Sequence, residues 1–346
     1  MIYFNSDYLE GAHPSIMVRL AETNMVQTVG YGEDEYCEAA REKIKTACQA
    51  PEADVHFLVG GTQTNTTVIA AILRPWQGVI SAVSGHINCH EAGAIESTGH
   101  KVITLPTTNG KITAQQVQDY VEWHRNDEST EHIVQPGMVY ISHPTEGGTL
   151  YTKAELTALY DTCRRYGLPL FIDGARLGYG LMAEESDMTL PEIARLCDVF
   201  YTGGTKVGAL FGEAVVIMNE ALKKDFRFIM KQRGGRMAKG RLLGVQFDAL
   251  FTDDLYFKIS RHAIEMAHQI RDIFVSAGYP LLFDSPTNQQ YPIMPDNELA
   301  ILGKNFGYEY WERVDETHSG VRFCASWATK QEHVDALRAA VNALKK

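Results

Sequence analysis

Apolar residues along the chain fall into two alternating patterns. Short, nearly continuous apolar runs bounded by glycine or polar residues are typical of strands that are buried on both faces. Such runs occupy residues 55–59, 79–83, 102–106, 138–142, 168–172, 199–201 and 214–218. Helix-like segments lie between them at residues 66–73, 113–123, 153–166 and 190–197. This alternation predicts an α/β protein with a mostly parallel central sheet and helices on both faces.

The segments that flank this region predict a second, smaller unit. Before it, helices are expected over residues 15–21 and 35–47. After it, a long helix over residues 255–277 leads to strand-like runs at 279–283 and 321–326 and a final helix over 330–344. We therefore expect a large domain over residues 1–250 and a smaller C-terminal α/β domain over residues 251–346.

Composition narrows the classes of function. Of the 346 residues, 45% are hydrophobic, and the formal net charge is −11. The charged residues do not form a block of like charge anywhere in the sequence. Nucleic acid is therefore not an expected partner. No stretch approaches the roughly 18 apolar residues of a membrane span, so no membrane association is expected. The six cysteines are scattered without a Cys-x-x-Cys pair, which argues against a disulfide framework or a cysteine-rich zinc site.

The first residues bear on location. Residues 1–7 lack a basic region followed by a long apolar run, which a secretory leader would show. Together with the cysteine pattern, this leads us to expect a cytoplasmic protein.

Two predicted strands end in residues that can carry chemistry. The run at 168–172 is followed by Asp173, and the run at 199–201 leads to Lys206, which lies 33 positions after Asp173. Parallel neighbours end at the same edge of a sheet, so both side chains should reach one cleft. An acid and an amine there suit pyridoxal phosphate (PLP), because lysine forms a Schiff base and the acid keeps the pyridine nitrogen protonated. Alternatively, Asp173 caps a helix and Lys206 is solvated.

Two further strand ends carry candidate ligands. Gly60 and Gly61 precede a helix, where free backbone N–H groups can hold a phosphate, although such a turn by itself is a weak signal. His86 and His90 are four positions apart and could share a helix face. They could bind a metal with a third ligand such as Glu91, stack on a flat ring, or only form hydrogen bonds at a helix start.

Two more segments remain open to alternatives. His143 follows the strand at 138–142, where a catalytic role and a structural one are both possible. The basic stretch 231–241 could be a solvated face or could bind an anion such as a phosphate.

Several motifs follow one another in order along nearly the whole chain. They are Ser6-Asp7, Tyr31-Gly32-Glu33-Asp34, Gly61-Thr62 with Asn65, His86 with Glu91-Ala92-Gly93-Ala94, His143 with Gly147-Gly148, Asp173-Gly174-Ala175-Arg176, Lys206, Gly234-Gly235 with Met237, Thr287-Asn288 and Val321-Arg322-Phe323. With these motifs the chain resembles the threonine aldolase and aromatic amino acid β-eliminating lyase family. That family implies PLP and the aspartate-aminotransferase-like architecture, also called fold type I.

The resemblance implies roles around the cofactor. Lys206 would carry PLP covalently, Asp173 would pair with the pyridine nitrogen, and His86 would stack on the ring. The backbone of Gly61 and Thr62 would hold the phosphate. Lys231 would approach the same phosphate from a neighbouring subunit.

The resemblance also implies a substrate and a reaction. Ser6, Arg176 and Arg322 would grip the carboxylate of an amino acid, which an arginine fork matches with two hydrogen bonds. His143 or His86 would take the proton of a β-hydroxyl group. The implied reaction is retro-aldol cleavage of threonine or allo-threonine to glycine and an aldehyde.

Other functions remain open at this point. A PLP lyase that eliminates a β-substituent from an aromatic or other amino acid needs the same Lys206 and Asp173. More remote possibilities are a non-catalytic PLP-binding protein and a metal protein. Because the family's sites are shared between subunits, we expect a homodimer or homotetramer.

The chain departs from the family pattern in three places. Asn88-Cys89-His90 replaces aromatic residues after the stacking histidine, which affects the aldehyde specificity. Met237-Ala238-Lys239 lacks the arginine that usually follows the methionine, and Arg236 or Lys239 could replace its charge. The loop 207–212 is about one residue shorter than usual and lacks a proline. These differences suggest a divergent branch of the family.

Overall fold

The computed structural model describes residues 1–345. Its helices are α1 (Pro14–Thr23), α2 (Glu35–Cys48), α3 (Gly61–Ile72), α4 (His86–Cys89), α5 (Ala114–Asn126), α6 (Lys153–Tyr166), α7 (Leu177–Met182), α8 (Leu190–Arg195), α9 (Phe226–Gln232), α10 (Arg241–Leu250), α11 (Leu255–Ser276), α12 (Asp296–Leu302) and α13 (Gln331–Ala343). Its strands are β1 (Ile2–Tyr3), β2 (Asp54–Leu58), β3 (Gln77–Ala82), β4 (Val102–Leu105), β5 (Gln135–Ser142), β6 (Leu170–Asp173), β7 (Val199–Gly203), β8 (Glu213–Ile217), β9 (Gln289–Gln290), β10 (Ile293–Pro295), β11 (Phe306–Gly307), β12 (Glu309–Arg313) and β13 (His318–Cys324).

A seven-stranded sheet forms the centre of the molecule, with the strand order β2-β8-β7-β6-β5-β3-β4. The five neighbouring strands β7, β6, β5, β3 and β4 pair in parallel, whereas β8 runs antiparallel to both of its neighbours, β2 and β7. The prediction of a mostly parallel sheet flanked by helices is therefore confirmed. One boundary was misjudged, since α3 begins at Gly61 and not near residue 66.

The continuous apolar runs arise because the strands are covered on both faces. Leu170 and Ile172 of β6 face one hydrophobic cluster together with helices α2 and α6. Phe171, between them in sequence, faces a second cluster on the opposite side with α3. Successive side chains of a strand point to opposite faces, so a doubly covered strand has no polar alternation.

The C-terminal residues build a separate antiparallel sheet of order β10-β13-β12, with β9 also paired to β13. Its core includes Val321 and Phe323 of β13 and residues from α11 and α13. The chain start joins this unit, because Ile2 and Tyr3 pair in parallel with Phe306 and Gly307. The domain boundary at residue 250 stays a prediction.

The strand expected over residues 279–283 is wrong. Only Leu281 forms an isolated bridge, to Pro292. Pro280 has no N–H to donate to a ladder. The apolar side chains are used for packing instead, since Tyr279 lies against Phe274 and Phe283 against Tyr291. Apolar content alone does not distinguish a strand from a packed loop.

No helix within residues 1–345 combines the length and the apolar character that crossing a bilayer requires.

Candidate active site

A cavity of about 680 Å³ opens between the carboxyl ends of β5, β6 and β7 and the C-terminal sheet. Seven of the predicted site residues line it: Gly61, Thr62, His86, Asp173, Arg176, Lys206 and Arg322. Other lining residues are Tyr8, Val59, Gly60, His90, Ser142, Pro144, Glu146, Ala175, Tyr201, Thr205, Glu213, Glu309, Tyr310 and Trp311. The expectation that Asp173 and Lys206 share one edge of the sheet agrees with this arrangement.

Two glycines let the strand ends converge. A Cβ atom on Gly174 would collide with the backbone carbonyl of Tyr201, and one on Gly203 would collide with that of Ala175. The N–H of Gly203 donates to the carbonyl of Gly174 at 2.9 Å. The chain therefore needs glycine on both strands to bring the turn after β6 against the end of β7. This contact places Asp173 near the segment that carries Lys206.

Asp173 is buried and accepts hydrogen bonds on both carboxylate oxygens. Tyr140 donates to Oδ2 at 2.6 Å and Asn65 donates to the same atom at 3.1 Å. The Tyr201 hydroxyl and the Ala175 N–H donate to Oδ1. Burial alone would raise the pKa of Asp173, but the charge of His86 and the two phenol donors hold it below its usual value. Asp173 therefore stays an anion, as pairing with a protonated ring nitrogen requires.

Lys206 lies in the turn between β7 and β8. Its Nζ makes no hydrogen bond to any residue from 1 to 345 and lies 6.0 Å from the centre of the Tyr8 ring. Burial and the nearby Arg176 charge lower the pKa of Lys206, against the opposing effect of Asp7 and Asp173. A larger share of neutral amine makes a lysine a better nucleophile toward an aldehyde.

The start of α3 provides a phosphate site. Gly60 occupies the N-cap position of this 12-residue helix without a side-chain cap, which leaves the first N–H groups without a side-chain acceptor. Gly61 and Thr62, the first two residues of the helix, line the cavity. A phosphate at this helix start would be stabilised by N–H donors and by the helix dipole.

His86 begins the short helix α4 and is held by Glu91. Its Nδ1 lies 2.8 Å from Glu91 Oε1, which also accepts from Asn65 at 2.7 Å. Because Asn65 also donates to Asp173, a chain of hydrogen bonds connects the acid with the imidazole. Burial would lower the pKa of His86, but the hydrogen bond to Glu91 and the charge of Asp173 raise it above its usual value.

The two predicted carboxylate-binding arginines differ in their partners. Arg176 already forms a two-point ion pair with buried Asp7, at 2.7 Å and 3.0 Å. Burial would raise the pKa of Asp7, but the Arg176 charge lowers it to about 2. Arg322 makes hydrogen bonds only to uncharged acceptors, the Gln289 side chain and the Asn5 carbonyl, at 3.2 Å and 3.0 Å. Of the two, Arg322 therefore has the less compensated charge.

Three predicted site residues do not line the cavity. Ser6 is buried nearby, and its Oγ has no hydrogen-bond partner among residues 1–345. His143 is 1% exposed, accepts from the Tyr151 N–H at 3.3 Å, and has a pKa that burial lowers to about 4. Lys231 lies outside the cavity, with its Nζ 4.7 Å from the ring of Tyr31.

Sequence reasoning missed three carboxylates that line the cavity, Glu146, Glu213 and Glu309. Glu146 lies in the segment between β5 and α6, and Glu213 begins β8 opposite Gly203. Glu213 accepts from Thr205 at 2.8 Å, and burial raises its pKa to about 8. No local signal marked Glu213, because it only appears as a polar residue at the start of an apolar run. Glu146 had a usable signal, since it follows a strand end, but His143 is closer to that end.

The metal alternative finds no support. In the part of the chain that the structure describes, no group of three or more His, Cys, Asp or Glu side chains is arranged to hold a metal ion. His86 and His90 have ring centres 5.6 Å apart, but Glu91 is bonded to His86 Nδ1.

Comparisons with known proteins agree with this geometry. A sequence profile of the β-eliminating lyase family matches residues 4–341. Low specificity L-threonine aldolase from Pseudomonas aeruginosa is 29% identical over 337 residues, which cover 96% of this chain and 95% of the relative. The solved structure of Leishmania major threonine aldolase is 42% identical, covers 100% of both chains and superposes with a TM-score of 0.97.

More distant structures share only the fold. Histidinol-phosphate aminotransferase from Clostridium acetobutylicum is 12% identical and superposes with a TM-score of 0.75, covering 100% of this chain and 99% of that one. The family resemblance drawn from the motifs is thus confirmed over the whole chain, and so is the fold class. The chain belongs to the β-eliminating lyase family, and it is a PLP-dependent lyase of fold type I.

Proposed function

We propose that the protein cleaves threonine or allo-threonine to glycine and acetaldehyde by a retro-aldol reaction. The observation that carries this proposal is the composition of the cavity lining. It contains the unpaired amine of Lys206, the buried carboxylate of Asp173 and the N-terminus of α3, which has no side-chain cap. The threonine aldolase relatives support the choice of substrate.

The residues present fit PLP. The N–H groups of Gly61 and Thr62 would hold the phosphate, Asp173 would pair with the ring nitrogen, and His86 would lie against the ring. Lys206 Nζ would hold the cofactor covalently. When bound, PLP supplies an electron sink for the bond that breaks at the substrate's α-carbon.

The substrate carboxylate would bind opposite these groups. The Arg322 guanidinium faces the cavity, and its Nε is buried without a partner within residues 1–345, as is Ser6 Oγ. A carboxylate would satisfy both polar atoms. Arg176 adds positive charge, although Asp7 already occupies one edge of its guanidinium. Gripping the carboxylate orients the Cα–Cβ bond for cleavage.

The test uses product analysis and one variant. Incubation with L-threonine should release glycine and acetaldehyde in equal amounts. In Lys206→Ala the visible absorption of the bound cofactor should vanish, and kcat should fall by on the order of 10⁴-fold or more. Lys224→Ala, at an exposed lysine, serves as the matched control.

The rival reaction gives different products. Elimination of the β-hydroxyl from threonine yields 2-oxobutyrate and ammonia without glycine. The family includes β-eliminating lyases, so both product sets should be assayed in the same reaction. Formation of 2-oxobutyrate alone would replace the aldolase proposal with the eliminating one.

We also propose that the active form is a homodimer or homotetramer with sites at the subunit interface. Large apolar side chains are exposed on the N-terminal segment and on α9, including Met25 at 87% and Phe228 at 75%. A partner chain that covered them could also bring its Lys231 toward the phosphate site. A fully active monomer in analytical ultracentrifugation would contradict this proposal.

A further inference from the structure

Glu146 lies at the cavity beside His86. Its Oε1 accepts from the backbone N–H of His86 at 2.9 Å and from Ser142 Oγ at 2.6 Å. Its backbone carbonyl accepts from the Tyr291 hydroxyl at 2.8 Å and from Gln289 Nε2 at 3.3 Å. The residue is therefore held both from the large sheet and from the segment that carries β9, and its carboxylate has a fixed position relative to the backbone of His86.

The second carboxylate oxygen of Glu146 is the informative one. Oε2 accepts no hydrogen bond from any residue between 1 and 345, and the side chain is half-buried in the cavity lining. Glu309 also lines the cavity, but it is exposed and makes no side-chain hydrogen bond within residues 1–345, so its carboxylate has no fixed position. The remaining carboxylates around the cavity have no free oxygen that faces it. Asp173, Asp7 and Glu213 use both oxygens in hydrogen bonds. The free oxygen of Glu91 is buried, and that residue does not line the cavity.

The two predicted histidines are less favourably placed than Glu146 to accept this proton. His86 is bonded at Nδ1 to Glu91, and in the proposed arrangement its ring lies against the cofactor. His143 is buried outside the cavity lining, and its Nδ1 is occupied by the Tyr151 N–H. Burial, partly offset by the Ser142 hydrogen bond, raises the pKa of Glu146, and the charges that face it come from Asp173 and His86. A carboxylate with a raised pKa is a stronger base than an ordinary glutamate.

We propose that Oε2 of Glu146 accepts the proton of the substrate's β-hydroxyl group, with His86 positioned beside it. This assignment rests on the proposed retro-aldol reaction. It gives Glu146 the step for which the family resemblance offered His143 or His86.

The step balances without any further reactant. The hydroxyl proton moves to Glu146 Oε2, and the electron pair of the O–H bond becomes the second bond of the aldehyde carbonyl. The Cα–Cβ bond breaks, and its electron pair stays with the α-carbon, which becomes that of glycine. That carbon takes up one proton from the site, and Glu146 returns its proton to solvent.

The test compares threonine cleavage, which requires removal of the hydroxyl proton, with exchange of the glycine α-proton, which does not. In Glu146→Gln, kcat for threonine cleavage should fall by about 10²–10⁴-fold, the usual contribution of a general base. Exchange of the glycine α-proton with deuterium, followed by NMR, needs no β-hydroxyl and should remain within about threefold of the wild type. Cofactor absorption and the melting temperature should be unchanged. Glu128→Gln, at an exposed carboxylate without a hydrogen bond, is the matched control.

A second variant keeps the proposal testable if Glu146→Gln does not fold. Glu146→Ala leaves space in which added formate can act as the base, so formate should restore part of the cleavage but leave glycine exchange unchanged. A purely structural role would give no such rescue.

Three outcomes would overturn the assignment. One is cleavage by Glu146→Gln at the wild-type rate. Another is equal loss of cleavage and exchange without formate rescue. The third is selective loss of cleavage in His143→Asn with normal cleavage in Glu146→Gln. If the wild type itself released no glycine, the proposed function would fail first, and the role of Glu146 with it.

Discussion

The two walls of the cavity hold their charged groups in different ways. On the sheet wall, formed by Glu146, Asp173, Lys206 and Glu213, the carboxylates accept hydrogen bonds from neighbouring strands and helices. On the C-terminal wall, formed by Glu309, Tyr310, Trp311 and Arg322, only Arg322 is firmly bonded, and Tyr310 is 56% exposed. The sheet wall is preorganised for chemistry, whereas the C-terminal wall is suited to recognising the substrate. Rigid elements fix reacting groups more accurately than exposed ones do.

The largest effect is expected from the sheet wall. In Asp173→Asn, an amide N–H₂ would face hydrogen-bond donors on one side and could not keep the ring nitrogen protonated. We expect kcat for threonine cleavage to fall by about 10³-fold or more, since a preorganised charge is lost. Steady-state kinetics and cofactor content would measure this, with exposed Asp161→Asn as the control. If kcat of Asp173→Asn stayed within tenfold of the wild-type value, the sheet wall could not be distinguished from the C-terminal wall by its importance for the chemical step.

A smaller effect, on KM rather than on kcat, is expected from a substitution in the C-terminal wall. Arg322→Lys keeps the charge but loses the fork that binds a carboxylate at two points. Because one charge-assisted hydrogen bond contributes about 1.5–3 kcal/mol, KM for threonine should rise by roughly 10- to 100-fold. The kcat value should change less than KM. Arg313→Lys, on the exposed face of β12, is the control; a fall in kcat alone would place Arg322 among the reacting groups.

The smallest effect concerns the Asp7–Arg176 ion pair, which ties the N-terminal segment to the turn after β6. The folded-state pKa of Asp7 is about 2, below its usual 3.8, so its contribution to stability is fully present above the usual value. That contribution is lost as the pH falls through about 2, and its size is on the order of 2 kcal/mol.

The measurement compares the wild type with Asp7→Asn. The difference between their free energies of unfolding in urea should be constant above about pH 5 and should shrink as the pH falls below about 4. Asn288, which donates to Asp7 at 2.9 Å, remains in both proteins. A difference that stays constant down to the lowest accessible pH would show that Asp7 is not held as an anion by Arg176.

The sequence predicted the parts of the site that depend on local signals. Asp173 directly follows an apolar run, and Lys206 follows the next apolar run and its glycine pair, so their position at one edge followed from strand order alone. The same holds for Gly61 at a helix start. These features need no knowledge of contacts between distant segments.

Other parts depended on contacts that the sequence does not display. Asp7 and Arg176 are 169 positions apart, and nothing in either segment indicates that they form an ion pair. The turn after β5 decides which of its polar residues faces the cavity. It points Glu146 inward and buries His143, although His143 is nearer to the strand. Tyr140 and Tyr201 looked like ordinary apolar strand residues, yet their hydroxyls hold Asp173.

Helix α11 runs through both hydrophobic cores. Ile259 and Ala263 in its first half pack with the large sheet, whereas Ile270 and Phe274 in its second half pack with β13. A chain divided near residue 250 would leave either fragment with an uncovered apolar surface. Helix α11 therefore connects the core of the large sheet with the core of the strand that carries Arg322, and the place of Arg322 over the strand ends depends on the packing of this helix in both.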